Sequence, residues 1–337
     1  MIQESLKKLI GKIDLSEEEM ASLIGVIVSG KATDAQIGAV IAALATKGET
    51  FSELAGAARA MRRKAARVQT GADVVVDTCG TGGDAANTFN ISTTAAFVVA
   101  GCGATVAKHG NRSVSSKCGS ADLLEMLGVN LEVGPEVVEE ALRQIGIGFL
   151  FAPLFHGAMR HAAKARKELG VRSIFNMLGP LTNPAGANCQ LIGVYAPELT
   201  ELFAQALHRL GARRAFVVHG HEGLDEISVC APTRVSELKD GLIRTYDLSP
   251  ERLLGRTADP MEIAGGTPAE NAQITRKILA GENGPRRDVV VVNAGAALIV
   301  AGVANDFDEG IRMAQASIDE GRARQKLEAL VEFTRRN

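Results

Sequence analysis

The sequence predicts an α/β protein in two parts: a small all-helical N-terminal domain followed by a larger α/β domain with a mostly parallel central sheet. Three observations carry this expectation. Residues 1 to about 68 show helical periodicity only, punctuated by helix-start signatures. From Asp73 onward, short apolar runs alternate with helical stretches. The first of those runs, Val74–Val76, is wholly apolar, as befits a strand buried on both faces of a sheet.

The helical part is delimited by its caps. Ser16 with Glu19, Thr33 with Gln36, and Thr50 with Glu53 form three capping boxes. Apolar residues then recur at helical spacing, as in Ile37, Val40, Ile41 and Leu44, and Gly30 and Gly48 mark helix ends. This assigns residues 1–69 to the helical domain and 70–337 to the α/β domain. Further strands are expected at Ala104–Ala107, Gly148–Ala152, Gln190–Tyr195, Ala215–His219, Ile227–Cys230 and Val289–Asn293. Residues from about 155 to 178 break the alternation: they read as helical, are rich in cations and end at Gly179-Pro180.

Composition excludes several function classes. The 337 residues are 46% hydrophobic and 23% charged, enough for a substantial core. Lys plus Arg is 37 against 39 for Asp plus Glu, a net charge of -2, so no global field recruits nucleic acid or an anionic membrane. Aromatics are 4% with no Trp, which disfavours base-stacking platforms. The five cysteines are widely spaced, with no CxxC pair, and read as free thiols of a reducing compartment. The N-terminus lacks an apolar signal core, and charge or Gly interrupts the apolar runs before membrane-spanning length. A soluble cytoplasmic protein without membrane or nucleic-acid partners is expected.

The strongest local signal follows the first strand: Asp77-Thr78-Cys79-Gly80-Thr81-Gly82-Gly83-Asp84, then Asn87 to Thr94 running into an apolar helix, Ala95 to Ala100. Three glycines let backbone N–H groups turn inward around an anion, and Ser92, Thr93 or Thr94 is placed to cap the helix. Two readings stand: a phosphate cradle, or a tight strand-to-helix turn without a ligand. A dinucleotide fingerprint fits Gly80-x-Gly82-x-x-Ala85 formally, but the helix starts too late and no acid lies in Gly101–Thr105. No Gly-Lys-Ser/Thr follows, which excludes a Walker A loop.

The next strand leads into Lys108-His109-Gly110-Asn111-Arg112-Ser113-Val114-Ser115-Ser116-Lys117-Cys118-Gly119-Ser120, with a helix from about Ala121 capped by Ser120. In a βαβ unit both loops leave the same edge of the sheet, where ligands of open α/β folds bind. Two anion-binding loops at one edge suggest a ligand carrying phosphate at both ends.

At these loops the sequence resembles the anthranilate phosphoribosyltransferases of tryptophan biosynthesis. The matching stretches are Gly80–Asp84, Asn90-Ile91-Ser92-Thr93, Lys108–Ser116, Asn176 to Pro184, and the later Asp225-Glu226 pair. The likeness runs over essentially the whole chain. It implies a nucleoside phosphorylase/phosphoribosyltransferase-like fold in which hinges connect the two domains and residues near 155–180 join the helical domain, and a homodimer formed through that domain. It assigns Gly80, Gly83, Asp84, Thr88, Asn90, Ile91, Ser92 and Thr93 to phosphoribosyl diphosphate (PRPP). Lys108, His109, Gly110, Asn111, Arg112, Ser113, Val114, Ser115, Ser116 and Ser120 belong to the same site. Gly80, Asn111 and Arg166 are the implied anthranilate contacts. Ser92, Asp225 and Glu226 are the implied ligands of Mg2+, two ions per subunit. Displacing diphosphate from an anomeric carbon calls for stabilising a polyanion, and the amine nucleophile is already neutral. No classical catalytic residue is therefore expected; His109 has two readings, a proton carrier or, the favoured one, a residue that orients its loop. Pyrimidine nucleoside phosphorylases, of the same fold, are the alternative enzyme class, and a non-catalytic nucleic-acid-binding relative is the alternative outside enzymes.

Overall fold

The computed structural model describes residues 2–84, 86–113 and 117–337. Four helices open the chain: α1 (Ile2–Ile10), α2 (Glu17–Val28), α3 (Asp34–Lys47) and α4 (Phe51–Lys64). All three capping boxes form, each side chain reciprocating with the backbone of the residue three positions on; such caps contribute about 1 kcal/mol apiece. Glu53 does more than cap. Its buried carboxylate accepts from the N–H of Leu15 and of Thr50, both at 2.9 Å, and pairs with Lys47 at 2.9 Å, so one side chain ties three helix ends together. Helices α2 and α4 meet backbone to side at Gly56, where a Cβ would lie 2.3 Å from the carbonyl of Glu17.

The α/β part runs β1 (Val76–Gly80), α5 (Ile91–Gly101), β2 (Val106–Gly110), α6 (Ser120–Leu127), α7 (Pro135–Gln144), β3 (Ile147–Phe151), α8 (Ala152–Phe155), α9 (Arg160–Leu169) and α10 (Ile174–Leu178). It continues through β4 (Cys189–Gly193), α11 (Leu199–Arg209), β5 (Arg214–Gly220), β6 (Thr233–Lys239) and β7 (Leu242–Leu248), then α12 (Pro250–Leu254), α13 (Pro268–Leu279), α14 (Pro285–Ala301), α15 (Phe307–Asp319) and α16 (Arg322–Arg336). The strands form one sheet in the order β3-β2-β1-β4-β5-β6-β7. Strands β1 to β5 are parallel, and β6 and β7 are antiparallel additions at one edge.

Successive residues of β5 face opposite layers, as strand geometry requires. Phe216 and Val218 join a core with α5, α14 and α16, whereas Ala215 and Val217 join one with α11. That second core continues without a break into the N-terminal helices, through Leu54 and Ala58 of α4 and Phe203 and Leu207 of α11. Helix α9 packs on α2 and α3, and α10 on α3 and α4.

Two expected strands are absent, and two real ones were not foreseen. Val289–Asn293 lies inside helix α14, which is apolar all round because it is buried between the sheet and α15. A helix without a polar face loses its periodic signature, and its β-branched run imitates a strand. Ile227–Cys230 is loop, its apolar side chains buried beneath the sheet edge rather than laddered. The true pair β6 and β7 is a hairpin closed by Asp240-Gly241, both at positive φ, the signature of a two-residue primed turn. Its strands are largely polar on their outer face, which hid them from a search for apolar runs.

Candidate active site

The chain lays down β1, β2 and β3 outward on one side and then returns to place β4 on the other side of β1. The order reverses between β1 and β4, and a crevice opens beyond the carboxyl ends of such a pair. Here the two strands end on glycines in register, Gly80 opposite Gly193. A Cβ on Gly193 would fall 1.5 Å from the carbonyl oxygen of Asp225, and one on Gly80 would fall 2.5 Å from Asp225 Oδ2. The absent side chains leave a seat into which the β5–β6 loop drops. Asn293 of α14 fixes that loop from below, accepting from Ile227 N–H at 2.9 Å and donating to Ile227 O at 2.8 Å.

Three acids converge at the seat. Asp225 Oδ2 accepts from Gly82 N–H at 2.9 Å, and Glu226 Oε1 accepts from Ser92 N–H at 3.0 Å in the first turn of α5. Asp84 Oδ2 faces the N–H of Asp225 at 3.5 Å. Desolvation, then the charges of Asp84 and Glu226, push Asp225 well above the usual carboxylate range. Glu226 is pushed up to about 7, chiefly by burial, against the opposing pull of Lys108 and Ser92. Carboxylates that disfavour one another's charge in this way favour a cation between them. Among the described residues, no three His, Cys, Asp or Glu close around a metal ion. Hard oxygen donors contributing only part of a coordination shell suit Mg2+, which keeps waters and takes substrate phosphate oxygens. Ser92, Asp225 and Glu226 fit that description.

The glycine loop is fastened to β4. Thr81 N–H donates to Gly193 O at 2.9 Å, and Tyr195 N–H donates to Thr81 Oγ1 at 3.1 Å. Gly82 and Gly83 then adopt φ of 64° and 76°, and Asn87 one of 53°. Thr88 pairs with Ala264 in an isolated bridge. Helix α5 begins at Ile91, earlier than expected, so Ser92, Thr93 and Thr94 lie in its first turn instead of capping it. Asn90 occupies the cap position without capping. Its amide donates to Cys118 O at 3.0 Å and its carbonyl accepts from Asn271 at 3.0 Å, which holds the two loops side by side. Ile91 and Thr93 are buried and shape the turn from behind.

In the second loop, Lys108 is buried and donates to His109 O at 3.2 Å. Burial raises the carboxyls of Asp77 and Glu226, and the charge of Lys108 opposes that rise at both. Asp77 accepts from His109 N–H at 3.1 Å and from Asn183 at 2.7 Å, so a buried acid anchors the end of β2. Gly110 is close to Ser120, whose Oγ would lie 2.1 Å from a Cβ there and bonds the backbone of Asn111 at 3.2 Å. Helix α6 starts at Ser120 itself, with Gly119 as its cap residue, and Asp122 binds the N–H groups of Ser113 and Gly119. Arg112 is engaged by Glu125, at 2.8 and 3.0 Å, and by Asp122 at 3.1 Å. Val114, Ser115 and Ser116 lie outside the described residues.

The histidine reading gains a second member. His109 Nδ1 meets Gly179 O at 3.1 Å, and its ring stands edge-on to His156 with centroids 5.0 Å apart. Burial first, and His156 next, depress His109 to about 3; burial depresses His156 to about 4. Both are neutral at physiological pH; among the described residues His109 Nε2 is buried without a hydrogen-bond partner, and His156 lies against the backbone of Thr182. Sequence reasoning gave no role to His156 or Asp77. The signal for His156 was its place just beyond β3, at the same sheet edge as the two glycine-bearing loops. Arg166, on α9, lies over the ring of Phe175 at 5.5 Å; burial lowers its pKa, and no carboxylate among the described residues pairs with it. None of the five cysteines is joined in a disulfide. Burial raises the thiols of Cys79 and Cys118, the latter to about 11, so neither is a ready nucleophile.

The helical bundle and the sheet with its switch-point site each match a domain of a glycosyltransferase family. Residues 3–65 match the glycosyl transferase family, helical bundle domain, and residues 72–324 match the glycosyl transferase family, a/b domain. The anthranilate phosphoribosyltransferase of Syntrophobacter fumaroxidans is 73% identical over the whole of both chains, and that of Geobacter sulfurreducens is 54% identical over 99% of each. Among solved structures, the Thermus thermophilus enzyme superposes with a TM-score of 0.94 at 44% identity, covering 98% of this chain and 99% of that one. The Saccharomyces cerevisiae enzyme in complex with PRPP and Mg gives 0.91 at 30% identity, covering 100% and 98%. The chain belongs to the anthranilate phosphoribosyltransferase family.

Proposed function

We propose that this chain transfers the phosphoribosyl group of 5-phospho-α-D-ribose 1-diphosphate to the amine of anthranilate, releasing diphosphate, as a step of tryptophan biosynthesis. The observation that carries the reading is the glycine seat: Gly80 and Gly193 admit Asp225, which brings an Asp84–Asp225–Glu226 cluster against a phosphate-type loop. The names of the relatives favour this transfer over phosphorolysis of a pyrimidine nucleoside.

Each residue has work that fits the reaction. The glycine loop and the first turn of α5 offer backbone N–H groups to phosphate oxygens. Lys108 supplies a buried positive charge on the diphosphate side. Ser92, Asp225 and Glu226 would hold magnesium, two ions per subunit, which would supply positive charge against the departing diphosphate. Arg166, a desolvated guanidinium without a counter-ion among the described residues, receives the anthranilate carboxylate, with Asn111 and Gly80 as further contacts. His109 stays neutral and orients Gly179 through its Nδ1. Rate then comes from positioning and electrostatics, with no general base. Closure of the helical part about Thr70-Gly71 and Gly179-Pro180 gates the cleft. The reading includes a cytoplasmic homodimer joined through the helical part; no helix among the described residues is long and apolar enough to cross a membrane.

The test is the intrinsic fluorescence of anthranilate followed over time with purified protein, PRPP and Mg2+. Loss that requires all three components is the expected result. Constant fluorescence with folded protein, across a magnesium titration, would sink the reading.

A further inference from the structure

We infer that Arg172, which has no assigned role, is a positioning residue that holds the glycine loop in its PRPP-binding shape. The inference rests on the proposed function of that loop. Its guanidinium donates to the carbonyl of Gly83 and lies over the ring of Tyr195, 4.3 Å from the centroid. Tyr195 is itself bonded to the loop through Thr81. Arg172, Tyr195 and residues 81–83 therefore form a closed circuit.

The circuit acts where the loop most needs it. Gly82 and Gly83 sit at positive φ without side chains, so the backbone there has little intrinsic preference. A trans peptide points its C=O and N–H in opposite directions. Fixing the Gly83 carbonyl on Arg172 therefore aims the N–H of Asp84 the other way and sets the base from which the Asp84 carboxylate reaches Asp225. The anchor for this contact is firm although Arg172 itself is exposed. Its backbone lies between the αL end of α9 at Gly170 and the cap of α10 at Ser173, and both helices pack on the N-terminal bundle. The planar fork matters as well as the charge: one face covers the ring while an N–H reaches the carbonyl, a combination that an ammonium does not provide.

The experiment measures PRPP affinity by calorimetry at fixed Mg2+, together with steady-state constants for both substrates. Arg172→Ala and Tyr195→Leu are each expected to weaken PRPP about tenfold, the scale of a charge-assisted hydrogen bond with a cation–π contact. The KM for anthranilate should stay within about twofold and kcat within about threefold, a split that general misfolding would not give. Tyr195→Phe keeps the ring and should bind like the wild type; Arg172→Lys keeps the charge and should recover little. The double variant should be no weaker than either single one, because both break the same circuit. Folded Arg172→Ala with wild-type PRPP affinity overturns the inference, and so does full recovery by Arg172→Lys, which would reduce the role to charge. Gly80→Ala separates the two levels, since its Cβ would displace Asp225. If Gly80→Ala loses PRPP while Arg172→Ala does not, the loop assignment stands and the strap falls. If both bind PRPP normally, the loop assignment itself fails.

Discussion

Asp225 occupies the space in which a side chain on Gly193 would lie, its carbonyl oxygen 1.5 Å from the position of the missing Cβ. The end of β4 and the β5–β6 loop thus share one volume, and the acid pair has its place because β4 ends without a side chain.

Gly193→Ala should expel the Asp225–Glu226 segment from the strand ends. A displacement of about 1 Å in such a site costs on the order of 10²-fold in rate, and kcat/KM should fall by at least that much. Gly157→Ala, with open space around the added Cβ, is the matched control and should leave kinetics unchanged.

Replacing both acids, Asp225→Asn with Glu226→Gln, should leave a folded protein that no longer responds to magnesium. Removing groups that stabilise a departing anion costs about 10²–10³-fold. A magnesium titration of initial rates reads this directly; a wild-type titration curve in the double variant would remove both residues from the metal site.

The raised pKa of Glu226 also makes a stability prediction. Its carboxyl holds a proton more tightly folded, at about 7, than at its ordinary 4.5. The associated stability is fully present below about pH 4.5 and is lost as pH climbs through 7. His109 and His156, held neutral by burial at about 3 and 4, act in the opposite sense: their unfolded-state protonation near 6.5 makes stability rise with pH until about 7. The Glu226 contribution is therefore read as a difference: in thermal denaturation, metal-free wild-type protein should lose Tm relative to Glu226→Gln between pH 6 and pH 8. Mg2+ should raise the wild-type Tm more at pH 8 than at pH 6.

Arg166→Ala should raise the KM for anthranilate by about tenfold, the scale of one charge-assisted pair, and that for PRPP much less. Equal effects on both substrates would point to a role in packing α9 instead of in binding.

Much of this architecture was legible because local rules and tertiary demands agree. Ser16, Thr33 and Thr50 cap the helices their spacing foretold. The βαβ rule placed the Gly80 and Lys108 loops on one edge, and Asn90 now joins them through Cys118. What escaped reading depends on burial that a linear chain does not display. The valines of α14 look like a strand until the helix is seen enclosed on all sides, and Asn293 among them looks like a strand end until it is found gripping Ile227. Asp77 reads as a loop acid but is buried at the centre, held by Asn183, over a hundred residues away. Arg112, expected at the phosphate site, also makes three bonds to Asp122 and Glu125 that its sequence position does not announce. Such partnerships are set by chain segments whose meeting no local pattern encodes.

The unbroken apolar seam between α4 and α11 has a mechanical meaning. It works as the spine of a book does: the covers can swing, but they stay bound along one line. Under the closure proposed above, opening would be an angular widening, greatest at the free margin and least along the seam. A cut that freed the N-terminal helices would tear the spine, leaving Phe203 and Leu207 bare to water.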